Sequence, residues 1–149
     1  MAADERRVFN GQLVGSISRS PEQKRRRSGS FSASLAAIQD DQQVGRMKIE
    51  HSESRGVTTV TDLENMRGAH YKGVGSALFH RAEHVAKAMG STHLETTLTA
   101  QEAQGFYRKM GMAPAPELLA PLKAAYAESG QAISDDKLEA MVPTWRKPV

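Results

Sequence analysis

From Phe31 onward apolar residues recur at every second position. Phe31, Ala33, Leu35 and Ala37 share one face of a half-buried strand. Turn residues follow at Gln39–Gln42, and the alternation resumes with Val44 or Met47 and Ile49, so the two runs predict a β-hairpin. After the turn Glu53-Ser-Arg-Gly56, the β-branched run Val57–Met66 predicts a third strand of a meander. The period then lengthens to 3.6. Val74, Leu78, Ala82, Val85 and Met89 fall on one helical face, and Gly90 stops the helix. His93–Leu98 reads as another strand, with Leu94, Thr96 and Leu98 on one side. Ala103, Phe106, Tyr107 and Met110 mark a second amphipathic helix that ends at Gly111. The predicted order is β-β-β-α-β-α.

The flanks break this rhythm. Before Phe31 the chain is polar; Gln12–Ser18 suits a short strand, and Ser18–Ser30, with its Lys-Arg-Arg-Arg run, suits a flexible loop or linker. After Gly111, prolines 114, 116 and 121 punctuate two further helices, Glu117–Ser129 and Ser134–Met141. Ser134 caps the second, and Asp135 and Asp136 sit in its positive first turn. Thr144–Val149 is expected to close the chain as an edge strand, where Pro148 is tolerated. The organisation is therefore a basic polar arm over residues 1–30 and one domain over 31–149, with a helical tail from about residue 113.

Composition narrows the class. In 149 residues, 39% hydrophobic and 25% charged content describe an ordinary globular chain. No run nears the roughly 18 apolar residues of a membrane span, and no charged-then-apolar leader opens the chain, so a cytoplasmic protein is expected. The absence of cysteine removes disulfides, thiolate metal sites and cysteine nucleophiles together. Residues 1–30 hold seven Lys and Arg against three acids, and the rest 13 against 14, so the basic character belongs to the arm.

The candidate chemistry lies in His70-Tyr-Lys-Gly-Val-Gly-Ser76. Gly73 and Gly75 stand at the mouth of a predicted helix, where each is a poor helix former. A helix start offers free N–H groups and the positive end of the macrodipole, and glycine lets a phosphate come close. Lys72 and His70 add positive charge. A plain junction that needs positive φ explains the same glycines. No Gly-Lys-Ser/Thr triplet makes this a P-loop, and the third glycine of a dinucleotide fingerprint is missing.

These residues resemble the acyl-CoA-binding motif of the GNAT superfamily of N-acetyltransferases, Arg/Gln-x-x-Gly-x-Gly/Ala, with His70 at the Arg/Gln position and Gly73 and Gly75 matching. Ala100–Met112 resembles the family's second motif, Asn-x-x-Ala-x-x-Phe-Tyr-x-x-x-Gly-Phe. Ala103, Phe106, Tyr107 and Gly111 match it, Ala100 replaces Asn and Met112 replaces Phe. The resemblance covers Phe31 to Met112. It implies an α/β (α+β) fold with a mixed, splayed sheet and flanking helices, and acetyl transfer from acetyl-CoA, used as co-substrate without a metal, to a primary amine on a small molecule or a protein.

By the same resemblance Lys72, Gly73, Val74, Gly75 and Ser76, with His70, would hold the pyrophosphate. Asn65 and Met66 would pair with the pantetheine arm, and Phe106 would belong to the cofactor site. Tyr107 would be the general acid for the departing thiolate. Glu64 and Glu95, on strands beside the split, are the candidate bases, acting directly or through water. The family usually places a strand and two helices before the meander. Here the shortened amino-terminal segment has room for one strand, so the acceptor side is expected to be open, built by the tail or completed by a partner subunit, as in a homodimer.

Three other readings compete. His80-Arg-Ala-Glu-His84 spells an inverted zinc-peptidase signature, with His80 and His84 on one helical face. Its residues fall on the polar flank of the helix, and no third ligand stands out downstream. The basic run Lys24–Arg27 would suit nucleic acid, yet only 5% of residues are aromatic and none is interleaved with it. A degenerate, non-catalytic acyl-CoA-binding or interaction module would keep the phosphate loop and lose turnover.

Overall fold

The computed structural model describes residues 6–18, 31–66, 71–97 and 103–149. His70, Leu98, Ala100 and the basic run Lys24–Arg27 lie outside the described residues. Strands β1 (Arg7–Val8), β2 (Gln12–Ser18), β3 (Phe31–Gln39), β4 (Gln42–Ser52), β5 (Val57–Asn65) and β6 (Tyr71–Lys72) precede helix α1 (Val74–Ala88). Then come β7 (His93–Thr97), α2 (Ala103–Lys109), β8 (Ala113–Pro114), α3 (Pro116–Ser129), α4 (Asp135–Ala140) and β9 (Thr144–Pro148). The expected β-β-β-α-β-α order is present from β3 to α2, with the two-residue β6 added before α1. Two compact units are formed, one up to Leu94 together with Val149, the other from Glu95 to Pro148.

In the first unit β2, β3, β4 and β5 are joined in order as an antiparallel meander. Its β3–β4 hairpin turns through Asp40 and Asp41, both at positive φ (53° and 60°). Aspartate is among the few residues that enter this region at low cost, and two such residues match the right-handed twist of the strands. Two irregularities set the faces. The register shifts at Ala37/Ile38 leave Val44 as an extra residue, so Val44 and Met47 are both fully buried although they differ in parity. A second shift leaves Thr61 extra on β5.

Helix α1 packs on β3, β4 and β5. Its buried residues are Val74, Leu78, Phe79, Ala82 and Ala86. The expected face is thus corrected at its end: Met89 is exposed and Val85 only half-buried. The helix instead lays its i, i+4 ridge 74-78-82-86 on the sheet, where small alanines allow close approach. Phe79, Leu78, Met47, Ile49 and Val60 fill the space between. Each such side chain contributes about 1.5–3 kcal/mol on burial. Polar groups buried beside this core are satisfied: His51 Nδ1 lies 3.1 Å from both Thr58 Oγ1 and Ser91 Oγ, which are 2.8 Å apart.

In the second unit β9 pairs antiparallel with β8, Trp145 opposite Pro114. It lies between β8 and β7, so the expected edge strand is an interior one. Pro148 is accommodated because it is the last residue of the strand. Trp145 is fully buried, donates from Nε1 to the Glu139 carbonyl at 3.3 Å, and carries the Arg108 guanidinium 5.2 Å from its ring. Pro116 occupies the first turn of α3, and Gly111, at φ 93°, follows α2. Ser134 caps α4, its Oγ accepting from the Lys137 N–H at 3.3 Å. Ser134→Ala is expected to lower stability by about 1 kcal/mol. Urea unfolding followed by Trp145, the single tryptophan of the chain, measures this in the unit that contains the cap.

Candidate active site

Strand β5 delivers the chain to the site. Asn65 lies opposite Gly45 of β4, and the Met66 N–H donates to the Val44 carbonyl at 3.0 Å. The described chain resumes at Tyr71. Residues 71 and 72 run parallel to β1, Arg7 opposite Tyr71 and Val8 opposite Lys72, and the Phe9 N–H donates to the Lys72 carbonyl at 2.9 Å. Gly73 then takes a left-handed conformation (φ 84°, ψ 4°) as the N-cap of α1.

The first turn of α1 presents backbone donors of the kind that anions take. The helical ladder begins with the Ala77 N–H bonding the Gly73 carbonyl at 3.0 Å, so the N–H groups of Val74, Gly75 and Ser76 precede it. Gly73 has no side chain to cap them, and no acidic residue stands in the first turn. A Cβ placed on Gly73 would find no atom within 4 Å among the described residues, which leaves the approach open. Backbone donors, a positive helix end and Lys72 on the adjoining strand together fit a phosphate group.

Two features seat this turn. Gly45 lies under it: a Cβ there would stand 2.4 Å from Val74 Cγ1 and 3.2 Å from the Glu64 carbonyl oxygen. The second feature is a polar cluster. Tyr71, 6% exposed, donates its hydroxyl to Asp40 Oδ2, and Arg7 NH1 meets the same oxygen at 3.0 Å. The Arg7 guanidinium also lies 5.7 Å from the Tyr71 ring centroid. The Tyr71 hydrogen bond above all, with help from the charge of Arg7 and against some desolvation, holds the Asp40 carboxyl below its usual range. The stabilisation is therefore complete above about pH 3.9, the ordinary aspartate value. It is lost only as pH falls through the lowered value.

The candidate bases are both paired. Glu64 is half-exposed and meets Arg46 at 2.9 Å, while Arg46 also approaches Asp62 at 3.5 Å. Glu95 is 5% exposed and is held by Arg146, with Nε 3.0 Å and NH2 2.9 Å from Oε1. Arg146 also grips Glu117, at 2.7 Å and 3.0 Å. The hydrogen bond to Glu117 leads in raising the pKa of Arg146, with Glu95 adding to it, so the guanidinium stays charged. Tyr107 is buried on α2, its ring edge-on to Phe106 at a centroid distance of 5.2 Å.

The structure thus gathers Glu64, Asn65, Met66 and Lys72–Ser76 in the first unit, and Glu95, Phe106 and Tyr107 in the second. Sequence reasoning missed Gly45, Arg7, Asp40, Tyr71 and Arg146. Only Gly45 left a signal, since a glycine inside a strand pattern marks a close backbone approach. On the polar face of α1, His80 Nδ1 lies 3.3 Å from Glu83 Oε1, and no group of three or more metal-ligating side chains occurs among the described residues. No helix there is long and apolar enough to cross a membrane.

The sequence pattern of the Acetyltransferase (GNAT) family matches residues 6–112. No curated protein matches the sequence significantly. Among solved structures, a Bacillus subtilis acetyltransferase in complex with CoA is 9% identical, with a TM-score of 0.56, over 93% of this chain and 99% of that one. An acetyltransferase from Bacillus cereus is 16% identical, with a TM-score of 0.56, over 82% and 76%. A tandem GNAT protein from the clavulanic acid biosynthesis pathway is 18% identical, with a TM-score of 0.54, over 58% of this chain but only 30% of its own length. At these identities the structural likeness is one of fold, mixed α/β with a mostly antiparallel sheet. With a family match over more than two thirds of its length, the chain belongs to the GNAT family of N-acetyltransferases.

Proposed function

We propose that the protein transfers an acetyl group from acetyl-CoA to a primary amine. The observation that carries the reading is the first turn of α1, where the N–H groups of Val74, Gly75 and Ser76 follow Gly73 at φ 84° and precede the helical ladder that begins at Ala77. Family membership and a fold shared with an acetyltransferase in complex with CoA support it. The amides of Val74, Gly75 and Ser76, with Lys72, would hold the pyrophosphate, and the strand end at Asn65 and Met66 would pair with the pantetheine amides. When bound, acetyl-CoA supplies a thioester carbonyl open to attack by a neutral amine.

Tyr107 gives its phenolic proton to the departing sulfur, and Phe106 packs beside it. Where the amine arrives as ammonium, Glu64 takes the proton through water. Its tie to Arg46 is a surface ion pair, worth at most about 1 kcal/mol, and its carboxylate is half-exposed. Glu95, buried under Arg146, is less available and serves to anchor β9.

Isothermal titration with acetyl-CoA tests the reading. Saturable one-to-one binding is expected, followed by CoA release when an accepted amine is added. No binding at millimolar acetyl-CoA would refute the phosphate-loop assignment. Binding without turnover of any amine would favour a non-catalytic acyl-CoA module instead.

A further inference from the structure

We propose that Arg7, Asp40 and Tyr71 form a positioning network for the cofactor loop, which makes the amino-terminal segment Arg7–Phe9 a working part of the acyl-CoA site. This deepens the function proposed above and rests on it.

The argument begins with Gly73. Glycine enters the left-handed region about as readily as the right-handed one, so it does not fix its own conformation. The φ of 84° must be imposed from both sides. On the helix side Val74 is seated against the β4 backbone at Gly45. On the other side three independent contacts act on two residues. The Lys72 carbonyl accepts the Phe9 N–H at 2.9 Å, the buried Tyr71 ring carries Arg7, and the Tyr71 hydroxyl is tied to Asp40.

Asp40 is a firm anchor because it belongs to the tight β3–β4 turn, and the strand just before it is fixed as well: the Gln39 side-chain oxygen accepts the Asn10 N–H at 3.1 Å. The amino-terminal segment is thus bonded on one side to the hairpin and on the other to the residues that enter the loop. Donors held in place before a ligand arrives bind it without a further ordering cost. An unheld Gly73 would have to be ordered by the cofactor itself.

The cluster touches neither the three amides nor the reacting atoms, so it acts through Lys72 and Gly73. Tyr71→Phe is the cleanest test, because it removes one hydroxyl and leaves the buried ring under Arg7. Asp40→Asn is the companion: it sits on the surface, keeps an oxygen for Tyr71, tolerates positive φ and loses the charge facing Arg7. For Tyr71→Phe, the acetyl-CoA Kd by titration and the KM for acetyl-CoA are expected to rise about tenfold. The kcat and the KM for the amine should stay within twofold, and Asp40→Asn should fall between wild type and Tyr71→Phe.

A merely structural cluster would behave differently. Both variants would then melt at lower temperature but bind acetyl-CoA as wild type does once folded, and that result overturns the inference alone. A fall in kcat with KM unchanged overturns it too. Should Tyr71→Phe not fold, an unchanged acetyl-CoA Kd in Asp40→Asn decides against the network, and a raised one for it. Failure of the wild-type protein to bind acetyl-CoA would instead remove the functional reading on which the network depends.

Discussion

Tyr107→Phe is expected to lower kcat by about 100-fold or more, in the range that a positioned general acid supplies, while the acetyl-CoA Kd changes by less than about threefold. The two effects separate because the substitution deletes an oxygen and a proton but keeps the ring. That ring is buried edge-on to Phe106, so the packing around it survives. A lost hydrogen bond costs roughly 1 kcal/mol of stability, too little to unfold a domain of ordinary stability. Thiol release from acetyl-CoA can be followed with a disulfide reagent, and the chain has no cysteine to react with it. A kcat within threefold of wild type would show that sulfur leaves without help from Tyr107.

The second large effect belongs to Gly73. Gly73→Asn is expected to weaken acetyl-CoA binding by about 100-fold, equivalent to about 2.7 kcal/mol, and to leave the fold standing. Asparagine is the non-glycine residue best suited to a φ of 84°, and its Cβ would meet no atom of the described residues within 4 Å. The folded protein therefore has little to lose, whereas a phosphate would meet a side chain where it needs backbone. Thermal melting and titration on the same sample give the comparison. Gly73→Asn binding as tightly as wild type would mean that the glycine serves the turn alone.

The glycine-led start of α1 was legible in the sequence because its signal is local: two glycines and a helical period within a few residues. The meander was legible for the same reason, since Phe31, Ala33, Leu35 and Ala37 alternate and all four are buried. What could not be read depends on partners far apart in the chain. Tyr71 meets Asp40 across 31 residues, and Arg146 meets Glu95 across 51. Neither pair has a spacing that a periodicity could announce. The rotation of the α1 face has a different cause. Judged by size, Val85 and Met89 look like core residues and Ala86 does not, but a helix lying close on a sheet prefers the small residue at the contact. Pro148 marks an edge only where it interrupts a strand; as the last residue of β9 it leaves an interior strand intact.

Gly45 bears on how substitutions across this chain should be interpreted. It touches no ligand in the proposed site and lies in the middle of a buried strand, yet an added methyl group would stand 2.4 Å from Val74 Cγ1. The height of the first turn of α1 above the sheet is thus set by a missing side chain. In a saturation scan selecting for acetyl transfer, position 45 should be as intolerant as Gly73, whereas in a scan for folded protein position 45 should stay intolerant and Gly73 should admit asparagine. A residue's intolerance then measures how far its displacement carries, and only the paired scans separate touching the substrate from holding up what touches it.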